Sequence, residues 1–257
     1  MVKRRVTLAI VAALALAGCQ HGHTDPEAVS AAETIGLEST LRLADAALAG
    51  GDVNSAMALY QQTTQQFPES TRARAAFADA LLAVGAHPEA EAAYQNLDRA
   101  EPGQPEAPLG LGRVALAEGR TNDAMNVFET ALRTFPKDPR LMNGLAVAYD
   151  YHGRHAEAQS LYRQILQMQP ANRAVSNNLA LSLMLTGATD EALERFTGLA
   201  AGPTLLPQAR YNLALVYGVS GDEAAARDLL QPALGRQATE ENLRFYRMLA
   251  GATTARR

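Results

Sequence analysis

Apolar and small side chains recur at spacings of three and four residues from Leu37 to Gly235, in blocks separated by short polar stretches. That rhythm predicts amphipathic α-helices. Shifted by 34 residues, the chain overlays itself without an insertion. Small residues recur at Ala44, Ala78, Gly112, Ala146, Ala180 and Ala214, and alanines at Ala56, Ala90, Ala124, Ala158, Ala192 and Ala226. Glycines fall at Gly51, Gly85, Gly119, Gly153, Gly187 and Gly221, and bulky apolar residues at Tyr60, Tyr94, Phe128, Tyr162, Phe196 and Leu230. A fixed period of this length predicts a repeat architecture. Each unit is expected to hold two antiparallel helices, because its glycine permits a turn between the halves. The small residues let the two helices approach and the ring fills the space between them. Pro68, Pro102, Pro136 and Pro170 then end the second helix by withholding an amide donor.

These positions resemble the tetratricopeptide repeat over about Leu37 to Gly235, residues 37–235, in six units without a gap. The resemblance implies an all-α, right-handed superhelical solenoid of about six repeats. The sixth unit departs from the pattern, with Thr204 where proline is expected between Pro203 and Pro207, and with Leu230 in place of the aromatic. The family's first-helix tryptophan is missing from a chain that has none. In residues 236–257, Thr239 followed by Glu241 and Asn242 reads as a cap, and Leu243, Tyr246 and Leu249 form one stripe. That pattern predicts the C-terminal capping helix a solenoid needs, with a disordered tail after it.

The chain opens with Lys3, Arg4 and Arg5 and an apolar run from Val6 to Ala17, too short for a stable span of a bilayer about 30 Å thick. Leu16-Ala17-Gly18-Cys19 resembles the lipobox of bacterial lipoproteins. The resemblance implies a signal peptide over 1–18, lipid such as palmitate on Cys19, and a membrane-anchored mature protein. Gln20, where retained lipoproteins typically carry aspartate, points to the outer membrane, with the protein facing the periplasm. Residues 19–36, with Gly22 and Pro26, are expected to form a flexible tether, although Glu27 to Ile35 could begin a helix.

Charge and composition remove several classes of function. The 257 residues carry 23 Lys and Arg against 27 Asp and Glu, a net charge of −4. Loss of the leader takes three positive charges and leaves the remainder near −7, so no nucleic acid partner is expected. A single cysteine excludes an internal disulfide framework and multi-cysteine metal sites. His21 and His23 lack a third ligand at a sensible spacing, and His87, His152 and His155 sit at or near turns between helices. Gly110 and Gly112 follow no strand and fall at helix-packing positions rather than in a phosphate loop. The sequence therefore predicts no enzyme, no cofactor, no metal and no small-molecule substrate.

In this family the concave face is built by the first helix of each unit. Counting its contact positions onto this sequence gives Asp45, Leu48, Asp79, Leu82, Leu109, Arg113 and Leu116, followed by Arg140, Asn143, Asp150, Tyr151, Asn177, Leu181, Met184, Tyr211 and Leu215. Asn143, Asn177 and Tyr211 fall at one position of three successive units, a line suited to an extended or helical peptide. The leucines among them are equally expected to pack against neighbouring repeats. One subclass is excluded: repeats that grip a chaperone's terminal carboxylate use paired lysines, whereas Lys137 is the one lysine after the leader.

Finer likeness narrows the expectation. The stretches Leu145 to Asp150, Gly153 to Ala158, Asn177 to Leu183 and Asn212 to Gly218 look like the TadD proteins of tight-adherence (Flp) pilus systems. The resemblance implies a scaffold that supports assembly or localisation of the pilus secretion machine, with a secretin or another machine component as protein partner. An adaptor for cell-wall hydrolases, or for another envelope complex, is the alternative.

Overall fold

The computed structural model describes the backbone of residues 26–200 and 207–254. Among the described residues every regular element is a helix. The first unit is α1 (Pro26–Ala49) with α2 (Val53–Gln66), the second α3 (Thr71–Ala83) with α4 (His87–Ala100), and the third α5 (Glu106–Ala117) with α6 (Thr121–Thr134). The fourth is α7 (Pro139–Tyr151) with α8 (His155–Met168), and the fifth α9 (Arg173–Leu185) with α10 (Thr189–Ala200). The sixth pairs α11 (Pro207–Val219) with the first part of α12 (Glu223–Thr254).

Local chemistry sets these boundaries. At the end of α7, Gly153 adopts φ 78°, a backbone that a Cβ would strain. The Arg154 amide then donates to the Tyr149 carbonyl at 2.8 Å, and the Gly153 amide to that of Asp150 at 3.0 Å. Two carbonyls left over at the helix end are thereby satisfied, and the chain reverses into α8. Asp138, Ser70 and Asn172 cap the starts of α7, α3 and α9 through side-chain oxygens. Pro68, Pro102, Pro136 and Pro170 each lie two residues past the last residue of a second helix, as expected.

Packing follows the repeat. The alanines at Ala56, Ala90, Ala124, Ala158, Ala192 and Ala226 are wholly buried, and so are the bulky residues four positions on. Each helix packs on the next in the chain. In addition the backbones of α1 and α3 come close, as do those of α3 and α5 and so on through the first helices to α11, whereas second helices meet through side chains, as where Arg163 of α8 lies 3.5 Å from Glu191 of α10. The first helices therefore line the inside of a coil and the second helices its outside. At Gly112 and Gly144 a Cβ would overlap the buried ring of Phe128, and at Gly110 that of Tyr94. Those glycines are helix-packing residues, as their place in the repeat predicts.

Two expectations change at the ends. Helix α1 begins at Pro26, so the part of the 19–36 tether from Pro26 onward is helical. Proline suits a first helical position, and the alanines and glutamates after it favour continuation. At the other end the capping helix does not begin at Thr239. Gly235, at φ 74° and ψ 174°, breaks α12 there and the helix resumes directly. Thr239 is buried inside it, donating its hydroxyl to the Gly235 carbonyl at 2.7 Å. Leu243 and Tyr246 are buried against Ala214, Ala226 and Leu230, so the segment does cover the end of the sixth unit. Cys19, the leader and Thr204 lie outside the described residues.

Candidate partner-binding groove

The inner wall encloses two cavities that meet. One, of about 730 Å³, is lined by Leu41, Asp45, Leu48, Asp79 and Gln104 among others. The second, of about 800 Å³, is lined by Leu116, Asn143, Val147, Asn172 and Val175 among others. Leu109, Arg113 and Arg140 line both. A trough thus runs across the first helices of the first five units.

Ion pairs cross its floor at the repeat distance. Arg72 Nε lies 3.3 Å from Glu38 and Arg140 Nη1 3.1 Å from Glu106, while Arg113 pairs with Asp79. Each joins residues 34 apart, hence equivalent positions on adjacent first helices. All six side chains are substantially exposed, which limits the contribution of each pair to about 0–1 kcal/mol.

Further along, amides replace charges. Asn178 Nδ2 donates to Asn143 Oδ1 at 3.1 Å and Asn212 Nδ2 to Asn177 Oδ1 at 2.8 Å. Asn143 and Asn177 therefore do stand on the inner helices, but each is bonded to an asparagine one position further along the repeat. Asn178 and Asn212 were not singled out by the counting. Their recurrence at 34 residues was the available signal. Among the described residues, the Nδ2 groups of Asn143 and Asn177 and the Oδ1 atoms of Asn178 and Asn212 have no protein partner. One donor and one acceptor per step match what an extended peptide backbone offers.

Other residues counted onto the groove are committed to the fold. The Tyr60 hydroxyl donates to Asp45, and that of Tyr94 to Asp79 at 2.6 Å. Burial, with the carboxylate beside it, pushes both phenols above their usual range. Asp79 thus serves Tyr94 and Arg113 together. Asp150 is more deeply engaged. Its Oδ2 accepts from Tyr162 at 3.1 Å, its Oδ1 accepts from Ser182 Oγ at 2.6 Å, and His155 Nδ1 lies 2.8 Å away. Asp150 ties α7 to α8 and α9, because two buried hydroxyls need an acceptor. Leu181 and Met184 are partly buried against the core of the fourth and fifth units, and Tyr211 against that of the sixth. Tyr151 is 71 % exposed at the end of α7.

The tyrosines and aspartates vary together. Units with Asp45 or Asp79 use Tyr60 and Tyr94. Units with Arg113, Leu181 or Leu215 at that position use Phe128, Phe196 and Leu230. The fourth unit has Val147 there and supplies Asp150 instead. The hydroxyl appears only where a carboxylate can receive it.

No group of three or more His, Cys, Asp or Glu side chains that could hold a metal occurs among the described residues. No helix among them is long and apolar enough to cross a membrane.

Comparison with known proteins agrees with this architecture. No curated protein matches the sequence. Among solved structures, the anaphase-promoting-complex hetero-tetramer Cut9–Hcn1 superposes with a TM-score of 0.69 at 18% identity, over 82% of this chain and 42% of that longer one. PilW, described as a widely conserved type IV pilus biogenesis factor, gives 0.63 at 18% identity over 81% of this chain and 97% of its own. PilF of Pseudomonas aeruginosa gives 0.59 at 15% identity over 83% and 98%. At these identities the likeness is one of fold. Models described as tetratricopeptide repeat match residues 47–111 and 151–204, and another of the same description matches 109–158. Together with the helix pairs, the 34-residue period and the inner groove, these matches show that the chain belongs to the tetratricopeptide-repeat proteins, scaffolds for protein–protein interaction.

Proposed function

We propose that the protein is a lipid-anchored adaptor of the outer membrane whose inner groove holds an extended segment of a pilus-machine component, in a system of the tight-adherence type. The observation that carries this reading is the pair of asparagine steps, with an unspent donor and acceptor at each. A peptide laid along them exchanges its own amide and carbonyl hydration for matching bonds. The apolar walls at Leu109, Leu116 and Val147 receive alternate side chains. The likeness in fold to PilF and PilW, and the resemblance to TadD proteins, support a pilus machine as the setting. A secretin is the component the resemblance favours.

The test is Asn143→Ala with Asn177→Ala in one chain. A bonded partner removed from a closed contact costs about 1–3 kcal/mol, so the double variant is expected to lose surface pili and co-purification of its partner. Circular dichroism and abundance in the envelope should stay as in the wild type. Wild-type pili with undiminished partner recovery would remove the groove from the reading.

The anchor is tested separately. Cys19→Ser is expected to fold normally yet to lose labelled palmitate and flotation with outer-membrane vesicles, since several acyl chains, each methylene contributing about 0.8 kcal/mol, provide the attachment. Retained label and flotation would overturn the lipoprotein assignment.

A further inference from the structure

The two ends of the coil leave apolar surface uncovered. Within the array, residues equivalent to Leu43 and Ala46 face the preceding unit. Phe77 and Ala80 pack on the core of the first unit beside Tyr60, and Leu145 and Ala148 pack on Phe128. Among the described residues no helix comes before α1, and there Leu43 is 59 % exposed and Ala46 is exposed as well. Ile35, 68 % exposed, extends the same face, since Ile35, Ser39, Leu43 and Ala46 fall within about 80° of helix arc.

At the other end the helix after Gly235 buries Leu243 and Tyr246 and turns Phe245 and Met248 outward, 49 % and 62 % exposed. A terminal unit that only ends a solenoid carries a polar outer face. Here both ends also expose large apolar side chains beside their charged ones. The ends are also opposite in charge. Residues 26–49 carry Glu27, Glu33, Glu38 and Asp45 against Arg42, while residues 236–254 carry Arg236, Arg244 and Arg247 against Glu240 and Glu241.

We propose that copies of the chain associate head to tail, the uncovered face of α1 in one receiving the Phe245 and Met248 face of the C-terminal helix in the next. The contact continues the stacking that already joins one unit to the next, with leucine and alanine of a first helix covered by a helix from before it. Because the two surfaces differ, the contact is heterologous. It generates a row or a ring rather than a closed pair. Opposite charges at the two ends orient the copies and make the contact weaken as salt rises.

The experiment is analytical ultracentrifugation of the full-length chain in mild detergent over a concentration series, with two variants at exposed positions, Leu43→Asp at the head and Met248→Asp at the tail. Wild type is expected to grow beyond a dimer with concentration and to dissociate with salt. Each variant alone is expected to associate more weakly by on the order of tenfold or more, with unchanged circular dichroism. Mixed in equal amounts, the two variants retain one good head and one good tail and are expected to form a 1:1 dimer that goes no further.

Three outcomes overturn the proposal. A wild type that stays monomeric assigns these faces to another protein or to residues before Pro26. Self-association by either variant alone as strong as the wild type's indicates a symmetric pair. Association untouched by both substitutions places the contact elsewhere.

Discussion

Phe128→Ala is expected to cost about 3–5 kcal/mol of folding free energy. The ring is wholly buried, and it meets Gly112 of its own unit and Gly144 of the next. Neither glycine has a side chain that can move into the space, so truncation leaves a cavity on both sides of the boundary between the third and fourth units. In a solenoid, stability is a sum of unit and neighbour terms, and the loss should therefore be regional. Urea denaturation should show a lower midpoint. Hydrogen exchange should show amides of α5, α6 and α7 losing protection while those of α11 hold theirs. Phe135→Ala, at the partly buried cap of α6, should cost less than half as much. Gly112→Ala offers an internal check, since it should destabilise the wild type by overlap with the ring yet be tolerated in the Phe128→Ala background, a coupling read from the double-mutant cycle. Uniform loss of protection along the coil, or additive effects of the two substitutions, would contradict this packing.

Asp150→Ala is expected to be nearly as damaging, for a different reason. The change strands the hydroxyls of Tyr162 and Ser182, both buried, and unpartnered buried donors cost about 1–3 kcal/mol each. His155 is partly open to solvent and hydrates instead. The expected loss is roughly 2–5 kcal/mol, seen as a clear fall in melting temperature. Asp150→Asn keeps an acceptor oxygen and should recover part of it. Asp79→Ala removes an acceptor from Tyr94 in the same way, but Asp79 is half exposed, so water takes its place and the cost should be smaller. Equal melting temperatures for Asp150→Ala and Asp79→Ala would show that burial around Asp150 does not govern its contribution.

What was legible in the sequence was the part fixed by repetition. Ala158 and Tyr162 could be placed in the core because every unit solves the same steric problem with a small residue and a ring four positions later. Polar side chains obey no such rule. Counting put Asp79 and Asp150 on the inner surface, and both are on first helices. Whether their oxygens face a ligand depends on Tyr94 and Tyr162, which reach them from the second helix 15 and 12 residues away. The same holds for Asn143, whose partner Asn178 arrives from the next unit, one residue off the repeat distance. At the C-terminus the period itself misleads. Continued past Gly235 it puts Met248 at the small buried position, but the break at Gly235 rotates the helix so that Leu243 and Tyr246 are buried instead. Thr239, read as a cap from its neighbours, is inside the helix for the same reason.

The two kinds of cross-unit bond divide the coil mechanically. Among the first four units the inner helices are tied by exposed ion pairs, which part and re-form at small cost in water. From the fourth unit onward the ties are amide pairs, backed by the Asp150 junction. Under load, as when a partner pulls along the axis, the first half should lengthen like a soft spring while the second keeps its pitch. A partner threaded through the groove would be held at a fixed spacing at one end and accommodated at the other. The stiffness of the soft half would also be tuned by ionic strength.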